Sequence, residues 1–207
     1  MMSFFSTTKP LHIAIVGGGP AGLALANILQ RLRNTRSAKG QPTPWHTTVY
    51  EADASASMRR LGGSLDLERD SGLVAITNAG LLNQFMELAR PEDQETRCVN
   101  KRGDILLRTA AESQTIDSPR YSPEIDRADL CRLLTDSLDK GMIAWGHKLE
   151  SITQDKTDAY ELHFTNGTSA HADLVVGADG AWSRVRPLVS SERPSYTGAT
   201  FLDCTEK

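Results

Sequence analysis

Cysteine is scarce in this chain, three in 207 residues. Cys98, Cys131 and Cys204 are far apart, odd in number and without a CxxC spacing, which excludes a disulfide framework and a zinc ribbon and makes a reducing, cytoplasmic setting the expectation. An excess of one charge is also lacking. The 23 basic and 26 acidic side chains give a net charge of −3 and are interspersed, so nothing favours a nucleic-acid partner. No histidine pair has metal-ligand spacing, and no metal is expected. His147, His163 and His171 read as surface or strand residues, and Trp145 and Trp182 as core or cofactor-wall packing. The start, MMSFFSTTKP, lacks an apolar core of signal-peptide length. Repeats and low-complexity tracts are absent. What remains is 39% apolar residues, enough for a core in one generous domain, or one domain and the beginning of a second.

Residues 11–29 form a run that carries no charged side chain. Its length approaches that of a membrane span, but Gly17, Gly18, Gly19 and Pro20 fall in its middle and would break a helix that has no water to satisfy its backbone. No membrane partner is expected. The pattern predicts a buried strand, LHIAIV, then a glycine turn, then a helix over residues 20–33.

That turn fills GxGxxG with Gly17, Gly19 and Gly22. In a dinucleotide fingerprint the first glycine allows the tight turn, the second lets backbone approach a pyrophosphate, and the third lets helix pack on strand. Pro20 and Ala21 complete the phosphate-facing start of the helix, whose N–H groups and partial positive charge suit an anion. The fingerprint also needs an acid at the end of the next strand. Residues 47–50 read as that strand and Glu51 as the acid, accepting from ribose hydroxyls and favouring FAD or NAD over NADP. It comes 29 positions after Gly22, later than usual, because residues 34–46, rich in Gly, Pro and polar side chains, read as a surface loop. A solvated strand end is the alternative role for Glu51.

DLVVGADGAWSRVR, residues 173–186, reads as a third buried strand over 174–176, a small-residue turn at Asp179 and Gly180, and a helical start. It resembles the second signature of the FAD-dependent aromatic hydroxylases, the class A flavoprotein monooxygenases with a para-hydroxybenzoate hydroxylase fold, matched here by Asp179, Gly180, Ser183 and Arg186. RRLGGSLDLERDSGLVAITNAGLL, residues 59–82, and PEIDRADLCRLLTDSL, residues 123–138, narrow the similarity toward the tetracycline-degrading monooxygenases and their relatives. That resemblance implies that Asp66 and Arg127 contact FAD and that Arg59 lies where NADPH or NADH approaches. Relatives often follow the ribose-binding glutamate with an arginine near the cofactor. This chain has Ala52 there, so that arginine's role is either absent or taken by Arg59 or Arg60.

Bottom-up, Asp126 reads as an N-cap with Asp129 three residues on, which puts Arg127 in the first turn of a helix. A surface arginine paired with Asp129 or Glu124 is the alternative. Gly62 and Gly63 are either a backbone approach to the isoalloxazine ring or a turn. Residues 95–107 and 147–172, the latter with the turn Asn166-Gly167, read as antiparallel hairpins between the Rossmann strands.

The expected fold is therefore α/β: a Rossmann-like FAD-binding domain over residues 1–195, with a parallel sheet, inserted hairpins and the loop at 34–46. Residues 196–207 would start a substrate-binding sheet that is largely missing, along with the family's third signature and closing helix. The resemblance implies the FAD-binding half of an NAD(P)H-dependent monooxygenase. In such enzymes oxygen adds at flavin C4a and passes to an aromatic or polyketide-like small molecule. This half is expected to be inactive alone, to self-associate, and to need a C-terminal half as partner. A flavin dehydrogenase or halogenase, and a non-catalytic dinucleotide-binding or regulatory fragment of a split protein, are the alternatives. No catalytic side chain is assigned.

Overall fold

A computed structural model of the chain describes residues 9–58, 62–90, 96–109, 121–154 and 159–200. In chain order, β1 (Leu11–Val16), α1 (Pro20–Ala38) and β2 (Trp45–Tyr50) are followed by β3 (Ser64–Asp66), α2 (Gly72–Ala79) and α3 (Leu82–Leu88). Next come β4 (Thr96–Val99), β5 (Ile105–Thr109), β6 (Glu124–Asp126) and α4 (Arg127–Asp136). The last elements are β7 (Ile143–Ala144), β8 (Leu149–Gln154), β9 (Tyr160–Phe164), β10 (Ser169–Ala172) and β11 (Leu174–Gly177). Residues 1–61 and 134–207 form one unit and residues 62–133 a second.

In the first unit the sheet runs β11-β1-β2-β7, with β1 parallel to both neighbours and β2 parallel to β7. Strand alternation sorts β1 between two cores. Ile13 and Ile15 pack with Ala26 of α1, Val49 and Met142, while Ala14 and Val16 pack with Leu149, Leu162, Phe164 and Ala172 of the antiparallel sheet β10-β9-β8. Both faces of β1 are thus covered, which is why its sequence is almost continuously apolar. Tyr50 joins the second core, stacked on Phe164 at a ring-centroid distance of 4.8 Å and tilted against His147 at 5.8 Å.

Two boundaries differ from the sequence reading. α1 continues to Ala38 and β2 begins at Trp45, so the loop spans only 39–44. The residues NTRSA contain no helix breaker, and the Thr35 hydroxyl bonds back onto the Arg31 carbonyl at 2.9 Å without ending the helix, which stops just before Gly40 at φ +65. Residues 196–200 form no strand, and 201–207 lie outside the described residues.

Within α1, Asn27 is 3% exposed and donates from Nδ2 to the carbonyls of Leu23 and Leu134, at 2.9 and 2.8 Å. Leu134 lies in the last turn of α4, where carbonyls have no intrahelical partner. Asn27→Leu should therefore cost about 1–3 kcal/mol by orphaning a buried acceptor. Urea unfolding should show a lower midpoint with unchanged FAD affinity; an unchanged midpoint would mean that this hydrogen bond contributes nothing net.

The second unit pairs β3 with β6 and β4 with β5, both antiparallel. Ile76, Phe85, Ile125 and Leu130 are among its most buried apolar side chains. α2 ends on Gly80 at φ +80, whose N–H closes on the Ile76 and Thr77 carbonyls. Among the described residues no helix is long and apolar enough to cross a membrane.

Candidate functional site

β1 stops at Val16 and the chain turns through Gly17, Gly18 and Gly19 into α1. Gly17 has φ +104, its N–H donates to the Tyr50 carbonyl at 2.9 Å, and a Cβ on it would come within 2.3 Å of the Ala178 carbonyl oxygen. Gly22 faces the same junction, where a Cβ would lie 2.0 Å from the Gly17 carbonyl oxygen. These two glycines are demanded by the fold itself.

Gly19 is different. Its φ of −69 suits any residue, and a Cβ there would meet nothing within 4 Å. Neither backbone nor packing requires glycine, and its bare backbone borders open space at the head of α1. Pro20 takes the first helical position and no side chain caps the helix. The first-turn N–H groups, those of Ala21 and Gly22 among them, have no intrahelical acceptor.

Glu51 ends β2 and is 8% exposed. Its Oε2 accepts from the Gly18 N–H at 2.6 Å and its Oε1 from the Asp53 N–H at 2.9 Å. It is a buried carboxylate fastened to the glycine turn, not a solvated strand end.

The second-signature residues form a local knot after β11. Asp179 accepts from the Ser183 hydroxyl at 2.6 Å and the Arg184 N–H at 2.7 Å, Ser183 Oγ accepts from the Arg186 N–H at 2.9 Å, and the Arg186 guanidinium donates to the Ala181 carbonyl at 2.7 Å. The knot fixes Ala178 against Gly17. Trp182 is 79% exposed, which removes the core alternative and leaves the cofactor-wall one.

In the second unit, Gly63 has φ +77 and its carbonyl accepts the Arg127 N–H at 3.1 Å. Asp66, at the end of β3, is exposed. Arg127 opens α4, also exposed. The expected acidic partners are taken by other arginines: Glu124 meets Arg90 at 3.5 Å and Asp129 meets Arg132 at 2.7 Å. Asp126 precedes the helix as expected, but its carboxylate goes to Arg90 at 2.9 Å instead of capping α4. Arg59, like Arg60, lies outside the described residues.

Two features were not foreseen. Arg90 was invisible because its bridge to Glu124 joins positions remote in sequence. A shallow cavity of about 440 Å³ lies near the amino ends of β1 and β2, lined by Lys9, His12, His46, His171 and Asp173. His12 stacks on His46 at 4.3 Å, and its ring nitrogens meet the His171 carbonyl at 2.5 Å and the Thr48 hydroxyl at 3.0 Å. The carbonyl interaction requires the proton on Nδ1. Among the described residues, no three His, Cys, Asp or Glu are grouped to hold a metal.

Comparison with known proteins agrees with this geometry. Monooxygenase penA of Penicillium thymicola is 34% identical over 94% of this chain and 44% of its own length. The 3-amino-4-hydroxybenzoate 2-monooxygenase PtnB3 of Streptomyces platensis is 32% identical over 96% of this chain and 46% of its own length. The chain thus spans under half the length of these curated relatives. Among solved structures, tetracycline destructase Tet(55) superimposes with a TM-score of 0.63 at 25% identity, over 90% of this chain and 42% of that one. Klebsiella pneumoniae HpxO, complexed with FAD and uric acid, shares the fold with a TM-score of 0.67 at 21% identity, over 89% of this chain and 43% of that one. The family model described as FAD binding domain matches residues 11–204, and the chain belongs to that family.

Proposed function

We propose that this chain holds FAD as the cofactor-binding part of an NAD(P)H-dependent flavoprotein monooxygenase acting on an aromatic or polyketide-like small molecule. The observation that carries the cofactor assignment is Gly19: a glycine with no conformational or packing reason to be one, at the head of a helix with uncapped N–H groups. Such a bare cradle fits a pyrophosphate. Gly17 and Gly22 set the turn, Pro20 and Ala21 start the helix, and Glu51, held by two backbone N–H groups, would accept from the adenosine ribose.

Bound FAD would supply hydride acceptance and oxygen activation, chemistry that no side chain of this chain provides. The protein's task is position and charge. Resemblance supports contacts from Asp66 and Arg127, a place for Asp179 beside the cofactor, and Arg59 at the approach of the nicotinamide, while Gly63 would offer bare backbone to the isoalloxazine ring. Asp179 would act by holding its own loop, since its carboxylate already accepts from Ser183 and Arg184. Substrate class and electron donor rest on the relatives' names and the family resemblance. Association with a second copy or with a C-terminal half remains part of the proposal.

The test is calorimetric titration of the chain with FAD and with ADP. Both should bind competitively, and failure of ADP to compete would remove the glycine-turn assignment. Arg127→Ala should weaken FAD binding by roughly 1.5–3 kcal/mol, the value of a charge-assisted contact, with little change in melting temperature because the side chain is exposed. Equal affinity would return Arg127 to the surface. Substrate-dependent oxygen uptake by the chain together with a C-terminal half separates a monooxygenase from a dehydrogenase.

A further inference from the structure

Residues 124–132 carry three acids, Glu124, Asp126 and Asp129, and two arginines, Arg127 and Arg132. On charge alone Arg127 should be neutralised by a neighbour, Asp126 being adjacent and Asp129 within one turn. Among the described residues none of the three pairs with it. Arg132 takes Asp129 at 2.7 Å, and Arg90, remote in sequence, takes the other two.

Arg90 is built for that task. Its backbone bridges β6 twice, its N–H donating to the Glu124 carbonyl at 2.7 Å and its carbonyl accepting the Glu124 N–H at 3.2 Å. Glu124 and Asp126 are two residues apart on a strand and so share one face, while Ile125 between them is buried on the other. From there one guanidinium spans both carboxylates. Arg90 holds the Asp126 carboxyl below the usual range, and the Ser64 hydroxyl, with Arg90 after it, does so for Glu124. Two arginines thus satisfy three acids, and the charge left over is Arg127.

We propose that Arg90 is a positioning residue for the cofactor: by engaging Glu124 and Asp126 it leaves the Arg127 guanidinium available to an anionic group. This rests on the reading that Arg127 contacts FAD. Without Arg90, Asp126 would fold onto Arg127 and compete with the cofactor for it.

The test is FAD affinity of the 207-residue chain, measured by flavin fluorescence. Arg90→Gln should weaken binding about two- to fivefold at low ionic strength, the scale of an exposed ion pair. The loss should shrink in about 1 M salt, where such charges are screened. Arg90→Gln combined with Asp126→Asn should restore the affinity, because the competing carboxylate is gone. A residue that only braces β6 would show neither the salt dependence nor the rescue. Unchanged affinity in Arg90→Gln, or a loss that the second substitution fails to restore, overturns the proposal. Arg127→Ala in the same series separates the two ideas: if it keeps wild-type affinity, the assignment of Arg127 to the cofactor is itself wrong. If it loses affinity while Arg90→Gln does not, only the role of Arg90 falls.

Discussion

Gly19→Val should fold and fail to bind FAD, whereas Gly22→Ala should be strongly destabilised. The two substitutions sit three residues apart in one motif and differ in what a Cβ meets. At Gly22 it would lie 2.0 Å from the Gly17 carbonyl oxygen and 3.2 Å from the Ala178 Cβ, so α1 must move off β1. Overpacking a core costs about 1–3 kcal/mol, occasionally more, and a backbone oxygen offers no rotamer to relieve the clash. A loss of at least about 3 kcal/mol is expected. At Gly19 the added side chain enters open space, and the penalty to the fold is that of a poor helix cap, about 1 kcal/mol. The same side chain fills the place where a phosphate must meet backbone N–H groups. Losing two such hydrogen bonds costs about 3 kcal/mol, roughly a hundredfold in affinity. Thermal melting and titration with ADP on both variants read the two effects separately. Wild-type ADP affinity in Gly19→Val would remove the pyrophosphate from this turn.

Glu51→Gln should lower stability and affinity together. Each carboxylate oxygen accepts one backbone N–H, from Gly18 and from Asp53. A carboxamide has one oxygen, so whichever way it flips, one buried N–H faces an NH₂ donor. Replacing a charge-assisted bond by an unsatisfied donor costs about 2–3 kcal/mol, or roughly 4–12 °C in melting temperature for a domain of this size. Displacement of Gly18 would also disturb the turn that Gly19 extends, so FAD affinity should fall at least about tenfold. Urea titrations with and without saturating ADP check both parts. An unchanged midpoint without ADP would mean these two bonds contribute no net stability.

What the sequence made legible was local. LHIAIV, the glycine turn and the acid after the next strand each carry their cause within a few residues: apolar continuity, backbone freedom, a strand end. The end of α1 is less legible, because its polar residues read as a loop although none of NTRSA breaks a helix. The roles inside the motif were only partly legible. Gly17, Gly19 and Gly22 are chemically identical, and only the fold separates them: a Cβ on Gly17 would meet the Ala178 backbone that follows β11, one on Gly22 the Gly17 carbonyl, and one on Gly19 nothing. Arg90 illustrates the same limit. Nothing near it in sequence states that it will meet Glu124 and Asp126, so the unpaired state of Arg127 emerges only when β6 is bridged. Asp126 next to a helix start looked like a cap; a distant arginine claimed its carboxylate first.

β1 lies between β2, its next strand in sequence, and β11, the last. The hydrogen bond from the His12 N–H to Asp173 beside the β1–β11 pair closes a span of 161 residues. During synthesis at about 5–20 residues per second, that side of β1 waits roughly ten to thirty seconds for its partner. α1 and β2 follow β1 directly in the chain and can pack against it early, yet the other edge of LHIAIV stays open until β11 has emerged. Contacts of such long separation slow folding. The nascent chain therefore carries β1 half-paired on the ribosome, with an open edge that could pair wrongly, and the closing of that edge is timed by the late emergence of β11.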